Sequence, residues 1–182
     1  MICVLLPFWT SFLVRIYSWM GILNPHGLIN TSLLYFNIIQ EPLDLIHNDF
    51  AVCLGIVYSY LPFMILPLYA ALEKLDGRLL EAAHDLGAHP FQSFLKITWP
   101  LSRRGVFAGA LLVFIPGVGE FVIPELLGGS DSIMIGKLLW NEFFLNRDWP
   151  LASSLAIILL VVLVCPIFAI QKMMSPDKET FK

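Results

Sequence analysis

The sequence predicts an all-α integral membrane protein, and three observations carry that prediction. Hydrophobic residues fill 58% of the 182 positions and charged ones only 14%, too few to cover the surface of a soluble domain of this size. Mean hydropathy is +0.77. Four apolar runs, at about 1–23, 50–72, 105–127 and 151–171, each approach the roughly 20 residues that carry a helix across a bilayer core. They are expected to form one transmembrane domain over residues 1–182. A net charge of −3 excludes a nucleic-acid footprint and an acidic solvating tail. No internal repeat and no low-complexity stretch interrupts the pattern.

The first run starts abruptly. Met1 is followed at once by ICVLLPFWTSFLV, without the basic flank or small-residue cleavage site of a signal peptide. This start predicts a chain truncated at its N-terminus or begun at a late start codon, with one or more spans upstream. Arg15 is a charge inside the run, expected to snorkel to its outer end or to pair with an external carboxylate. Cys3, Cys53 and Cys165 each stand alone among apolar residues, which predicts small buried hydrophobes and not a disulfide frame or zinc site.

Cation placement sets the orientation of the second and third connections. Lys74, Arg78, Lys96, Arg103 and Arg104 fall in the loop at about 73–104, and Lys172, Lys178 and Lys182 fall in the C-terminal tail. Eight of the eleven Lys and Arg thus lie on one side, which the positive-inside rule assigns to the cytoplasm, C-terminus included. Glu41, Asp44, Asp49, Asp131, Glu142 and Asp148 all fall in the opposite, external loops.

The cytosolic loop has its own pattern. Leu75, Leu79, Ala82, Ala83 and Leu86 recur at helical spacing as one face, with Glu81, His84 and Asp85 on the other side. Gly87 is placed to close that helix in a left-handed conformation, and Pro90 to open a second one carrying Phe91, Phe94 and Leu95. Pro100 is expected to stop the second helix just before the next span. Two readings follow: an interfacial helix pair resting on lipid headgroups, or a docking element for a cytosolic partner. His84 and His89 lack ligand spacing and are expected to be solvated.

At these residues the chain resembles a known family. Glu81-Ala82-Ala83, then three residues, Gly87, then nine, Ile97, and Pro100 two beyond Thr98 is similar to the coupling loop of bacterial ABC-importer permeases. The family's pattern has Leu before the final Pro, where this chain has Trp99. Further stretches are similar to the polyamine (putrescine/spermidine) branch: GIVYSYLPFMILPLY at 55–69, FIPGVGEFVIPELLGG at 114–129 and NRDWP at 146–150. The resemblance implies a type I ABC-importer permease helix bundle in the bacterial cytoplasmic (inner) membrane, whose members usually carry more spans than the four visible here. It implies alternating access driven by a cytosolic ABC ATPase dimer, with a second permease subunit and an extracytoplasmic substrate-binding protein as partners. It also implies that Glu81, Ala82, Ala83, Gly87, Ile97 and Pro100 couple the chain to the ATPase.

The chemistry agrees with a non-enzymatic subunit. Gly136-Lys137 lacks the upstream glycine and the following Ser or Thr of a nucleotide-binding loop, so ATP hydrolysis is expected on another chain. No catalytic, cofactor or metal set is expected. Gly87 allows a sharp turn, Ala82 and Ala83 allow close approach, and Glu81 offers charge to a partner Arg or helix N-terminus; the bland alternative for Glu81 is a solvated face charge.

Glu120 lies within the third run, where an acid is costly and faces a cavity or partner, and Pro116, Gly117 and Gly119 before it are expected to break or kink the helix. Glu120 and Glu125 along a wet passage suit an extended polycation, and Tyr58, Tyr60 and Trp9 could offer ring faces to it. Trp149 and Tyr17 read better as interface belts, and Tyr58 reads equally as either. The competing class is a secondary carrier or channel fragment for a small cation, which broken helices and a buried acid also suit. A membrane scaffold or membrane enzyme is the third class. A carrier has no use for the spaced pattern at 81–100, and an enzyme should carry a nucleophile or metal cluster.

Overall fold

The structure, a computed structural model, describes residues 6–130 and 132–174, with side chains described as far as Phe168. Cys3, Asp131, Lys178 and Lys182 lie outside the described residues. All regular structure among the described residues is helical. In chain order the helices are α1 (Phe12–Leu23), α2 (Leu28–Tyr35), α3 (Asp49–Glu73) and α4 (Gly77–Asp85). They are followed by α5 (Pro90–Val118), α6 (Val122–Leu126), α7 (Ile135–Trp140) and α8 (Trp149–Met174).

Three helical stretches are long and apolar enough to cross a membrane: α3, α5 and Trp149–Phe168 of α8. The 25 residues of α3 reach about 37 Å at 1.5 Å each, beyond the roughly 30 Å hydrocarbon core. The first apolar run behaves differently. Its described part is a 3-10 turn, Leu6–Trp9, followed by the 12 residues of α1. The break is local chemistry at Pro7, whose carbonyl accepts the Thr10 hydroxyl at 2.7 Å, the Thr10 amide at 3.3 Å and Arg15 Nη1 at 3.2 Å. Those donors hold a tight turn where a straight helix would otherwise continue.

The second difference lies at the start of α5. Pro100 does not end a separate short helix, because Pro90–Val118 is continuous. Residues Phe94–Thr98 form a π-helical turn whose wider ring closes with the Trp99 amide on the Phe94 carbonyl. The wider turn loosens the backbone just before Pro100, where an α-helical proline would clash with the carbonyl four residues back.

The chain divides into two compact units. One comprises Met1–Pro62 and Ile115–Leu163, the other Phe63–Phe114 and Val164–Lys182. The core of the first gathers Ile16, Leu23, Ile46, Ala51, Val52, Ile123 and Leu127. Gly55 lets α6 lie against α3, since a Cβ there would stand 2.7 Å from Leu127 Cδ1 and 2.8 Å from Ile123 Cγ2. In the second unit, Gly105 and Gly109 of α5 form a G-x-x-x-G stripe against α3. A Cβ on Gly109 would meet Met64 Sδ at 2.8 Å and the Met64 carbonyl at 3.0 Å, and one on Gly105 would fall on the Ala71 methyl and the Pro67 carbonyl. Small residues are what allow two membrane helices to pack backbone to backbone, where burial from water supplies no drive.

Cys53 and Cys165 are exposed on their helices, contrary to the expectation of burial. An apolar run in a spanning helix marks contact with an apolar phase, which lipid supplies at Cys165 as well as a protein core does, while Cys53 lines an open groove beside α3.

One buried polar group organises the connection between α2 and α3. Asn30 of α2 is fully buried; its Nδ2 donates to the carbonyls of Leu43 at 2.9 Å and Asn24 at 3.3 Å, and its Oδ1 accepts the Leu43 amide at 2.8 Å. It pins residues 36–45 back onto α2. Asn30→Ala should cost about 2–3 kcal/mol, read as a fall of several degrees in the melting temperature of the detergent-purified protein. An unchanged melting temperature would show that this connection is held by other contacts.

Candidate functional site

The loop at 73–104 is built by complementary caps. Asp76 accepts the Arg78 amide at 3.0 Å and starts α4. At the other end, the Gly87 amide donates to the His84 carbonyl at 2.8 Å and the Ala88 amide to the Ala83 carbonyl at 2.9 Å. With Gly87 at φ +78°, this is the Schellman closure that a left-handed glycine completes. His89 then opens α5: its Nδ1 accepts the Phe91 amide at 3.4 Å while Gln92 Oε1 accepts the His89 amide at 3.4 Å, with Pro90 at the first helical position. His89 is solvated as expected and also does this capping.

Burial in the loop runs against the predicted stripe. Ala83 is buried, but Leu79 is 46% exposed and Leu86 88% exposed, together with Phe91, Phe94, Leu95 and Trp99. Glu81, Ala82, Gly87 and Pro100 are also exposed, and Ile97 is half-buried. The loop is therefore a capped, ordered element presenting a large apolar surface around its glycine elbow.

In the other unit the α5 helix ends at Val118, and residues 119–121 separate it from the five-residue α6. The break falls where the Pro and Gly residues predict it. Glu120 sits in the break and is buried, with 7% of its surface exposed. Its Oε1 accepts the amides of Phe121 at 3.1 Å, Val122 at 2.9 Å and Ile123 at 3.4 Å, and its Oε2 accepts the Tyr60 hydroxyl of α3. The carboxylate thus caps the amides that the broken helix leaves open, and the tyrosine ties that knot to α3. Compensation of this acid comes from within the chain.

Arg15 takes no carboxylate among the described residues. Its Nη1 donates to Pro7 and its guanidinium lies 5.0 Å from the Phe8 ring centre and 5.9 Å from that of Phe12. Among the described residues its surroundings are the Pro7 carbonyl and the rings of Phe8 and Phe12, in place of a carboxylate. Glu125 is also partnered, with Lys137 Nζ 3.3 Å away. Tyr58, two residues from Tyr60 and hence on another side of α3, meets Trp19 edge-on at 5.3 Å and shares a 310 Å³ cavity with Arg15. Trp9 is 84% exposed on the 3-10 turn. Tyr60 and Glu120 are thus brought together, while Tyr58, Glu125 and Trp9 each have separate surroundings.

Comparison with known proteins adds to this geometry. The family described as binding-protein-dependent transport system inner membrane component matches residues 1–179. This chain belongs to that family. It is 46% identical over 165 residues to the spermidine/putrescine transport system permease protein PotB of Haemophilus influenzae, covering 91% of this chain and 58% of that protein. To PotB of Escherichia coli K12 it is 42% identical over 160 residues, covering 88% of this chain and 58% of the relative. The chain therefore spans less than two thirds of the length of these relatives. Among solved structures, a bacterial ABC transporter involved in the import of the acidic polysaccharide alginate superposes with a TM-score of 0.72 at 16% identity, over 94% of this chain and 64% of that one. At that identity the likeness is one of fold. The type I permease-like, all-helical architecture expected from the sequence is thereby met in this permease family member.

Some contributors were not foreseen. Asn30 and the Lys137–Glu125 pair carry no local signal, since their partners are set by the tertiary fold. The G-x-x-x-G at 105–109 was readable as a helix-packing motif.

Proposed function

We propose that this chain is the permease subunit of an ATP-driven importer of polyamines, putrescine and spermidine among them. The observation that carries the proposal is its 46% identity to a protein described as a spermidine/putrescine permease. The loop at 73–104 supports the coupling half of the reading. A rigidly capped helix exposing Leu79, Leu86, Phe91 and Phe94 suits a cleft in a cytosolic ATPase, and a body held at both ends moves as a unit when such a cleft closes. Ala82, Ala83 and Gly87 permit close approach, Glu81 supplies charge, and Ile97 and Pro100 join the loop to the span. A second permease subunit and an extracytoplasmic binding protein complete the assembly. On the pathway side, Glu120 and Tyr60 act together, while Tyr58, Glu125 and Trp9 offer further contacts to a polycation.

Expressed with an ATPase and a binding protein from the same organism, in a host stripped of polyamine uptake, the chain should restore saturable, ATP-dependent entry of labelled putrescine or spermidine. Absence of uptake with all subunits in the membrane would overturn the proposal. Glu81→Lys reverses an exposed charge on the leading turn of the motif and should cut co-purification of the ATPase about tenfold. Undiminished co-purification would leave Glu81 as a solvated face charge. The same reading puts the loop and the C-terminus in the cytoplasm. A cysteine at His84, in a background free of the native ones, should react with an impermeant thiol reagent only after the membrane is opened; labelling of intact cells would reverse the orientation.

A further inference from the structure

Asp49 lies in the first turn of α3, a position where an acid commonly serves the helix end. Here the capping task is already taken, because Asn48 Oδ1 accepts the Ala51 amide at 2.8 Å. Asp49 is free to turn sideways, and its Oδ1 accepts the Ser132 hydroxyl at 2.6 Å. Ser132 in turn accepts the Gly129 amide at 3.3 Å, so the carboxylate is tied through Ser132 to Gly129. Among the described residues the only Lys or Arg in an ion pair is Lys137, on Glu125, so Asp49 has no side-chain cation of its own.

Two cavities meet at this acid. A groove of about 450 Å³ runs from Asp49 and Ser132 along Val52, Cys53, Ile56, Val57 and Met134, a wall that is mainly apolar. A second, of about 260 Å³, opens on the other side between His47, Asn48 and Gly129 and is mainly polar. A fixed carboxylate shared by a mainly apolar groove and a mainly polar cavity matches one ligand chemistry, a primary ammonium on a short alkyl chain. The ammonium donates to Asp49 and the chain lies along the groove.

We propose that Asp49, with Ser132 holding it, is an alkylammonium-binding site at the mouth of the groove beside α3. This deepens the polyamine reading and rests on it for the claim that the site receives cargo: Asp49, at the start of α3, and Ser132 lie at the end of the spans that the cation count assigns to the exterior, where a delivered substrate enters. It is separate from the knot at Glu120, whose carboxylate is buried and already occupied by four donors.

Cys53 lines the groove one turn along α3 from Asp49, is exposed, and reports occupancy directly. In the assembled transporter, with Cys3 and Cys165 replaced by Ser, putrescine should slow the reaction of Cys53 with N-ethylmaleimide, while uncharged 1,4-butanediol should not. Asp49→Asn keeps an acceptor for Ser132 and removes the charge. It should raise the putrescine concentration for half-protection about tenfold, the size of one lost charge-assisted contact. Asp49→Glu should recover part of the protection. Lack of protection at saturating putrescine, equal protection by butanediol, or undiminished protection in Asp49→Asn would each overturn the site. Unprotected Cys53 in a complex that still imports polyamines removes this site and leaves the importer reading standing. Protection that depends on Asp49 in a complex unable to import them keeps the site and removes that reading.

Discussion

Glu120→Ala is expected to strip folded protein from the membrane. The substitution leaves the amides of Phe121, Val122 and Ile123 and the hydroxyl of Tyr60 without their shared acceptor at a buried position. Each buried donor left unpaired costs on the order of 1–3 kcal/mol, and even partial relaxation leaves a loss of about 3 kcal/mol or more. Glu120→Gln separates structure from charge, because its carbonyl can still accept the amides and its NH2 can donate to the Tyr60 oxygen. The Gln protein should therefore accumulate near the parental level and melt within a few degrees of it. Fluorescence-detected size exclusion and thermal unfolding in detergent read both. If Glu120→Ala accumulates and melts like the parent, the knot at the break carries no stability. If both proteins fold but Glu120→Gln alone loses polyamine uptake, the charge itself serves the pathway, and longer, more highly charged polyamines should suffer more.

Gly87→Val should uncouple the loop. Gly87 adopts φ +78°, a region that a β-branched residue enters only at a cost of about 1–2 kcal/mol or more. No atom lies within 4 Å of the position where a Cβ would stand, so the penalty is conformational and not a clash. The chain relieves it by opening the Schellman turn, which releases the amides of Gly87 and Ala88 and frees α4 from α5. A loop no longer held at its elbow transmits motion poorly, so uptake should fall at least about tenfold while the protein still reaches the membrane. ATPase activity of the assembled complex should lose its dependence on substrate. Gly87→Asn, which tolerates the left-handed region, should retain most transport. Normal uptake by well-expressed Gly87→Val would end the case for the elbow.

These two sites differ in how far a reader of the sequence could see them. The loop was legible because its geometry is local: Asp76, Gly87, His89 and Pro90 act on amides and carbonyls at most five residues away. The break at Glu120 was legible for the same reason, from Pro116 to Gly119. Its consequence was not, because Tyr60 comes from a different helix and nothing in FIPGVGEF names it.

Hydropathy also misled in two instructive ways. It assigned Cys53 and Cys165 to an interior, since an apolar index cannot tell lipid or an open groove from a protein core. It also read one span through about residues 1–23, because an apolar average conceals a carbonyl at Pro7 that collects three donors.

By itself, then, the sequence determined that this is a helical membrane chain of the importer-permease family, with a capped loop around Gly87 and a helix broken near Glu120. Composition, caps and turn residues act within one or two helical turns, and that range is written along the chain. Only the tertiary structure decided that Glu120 is satisfied by Tyr60 and its own amides, that Arg15 takes ring faces and a carbonyl, that Glu125 pairs with Lys137, and that Asp49 stands open at a groove. Each of those outcomes depends on which distant atoms arrive within about 3 Å of a charge, the distance at which a hydrogen bond is made or lost.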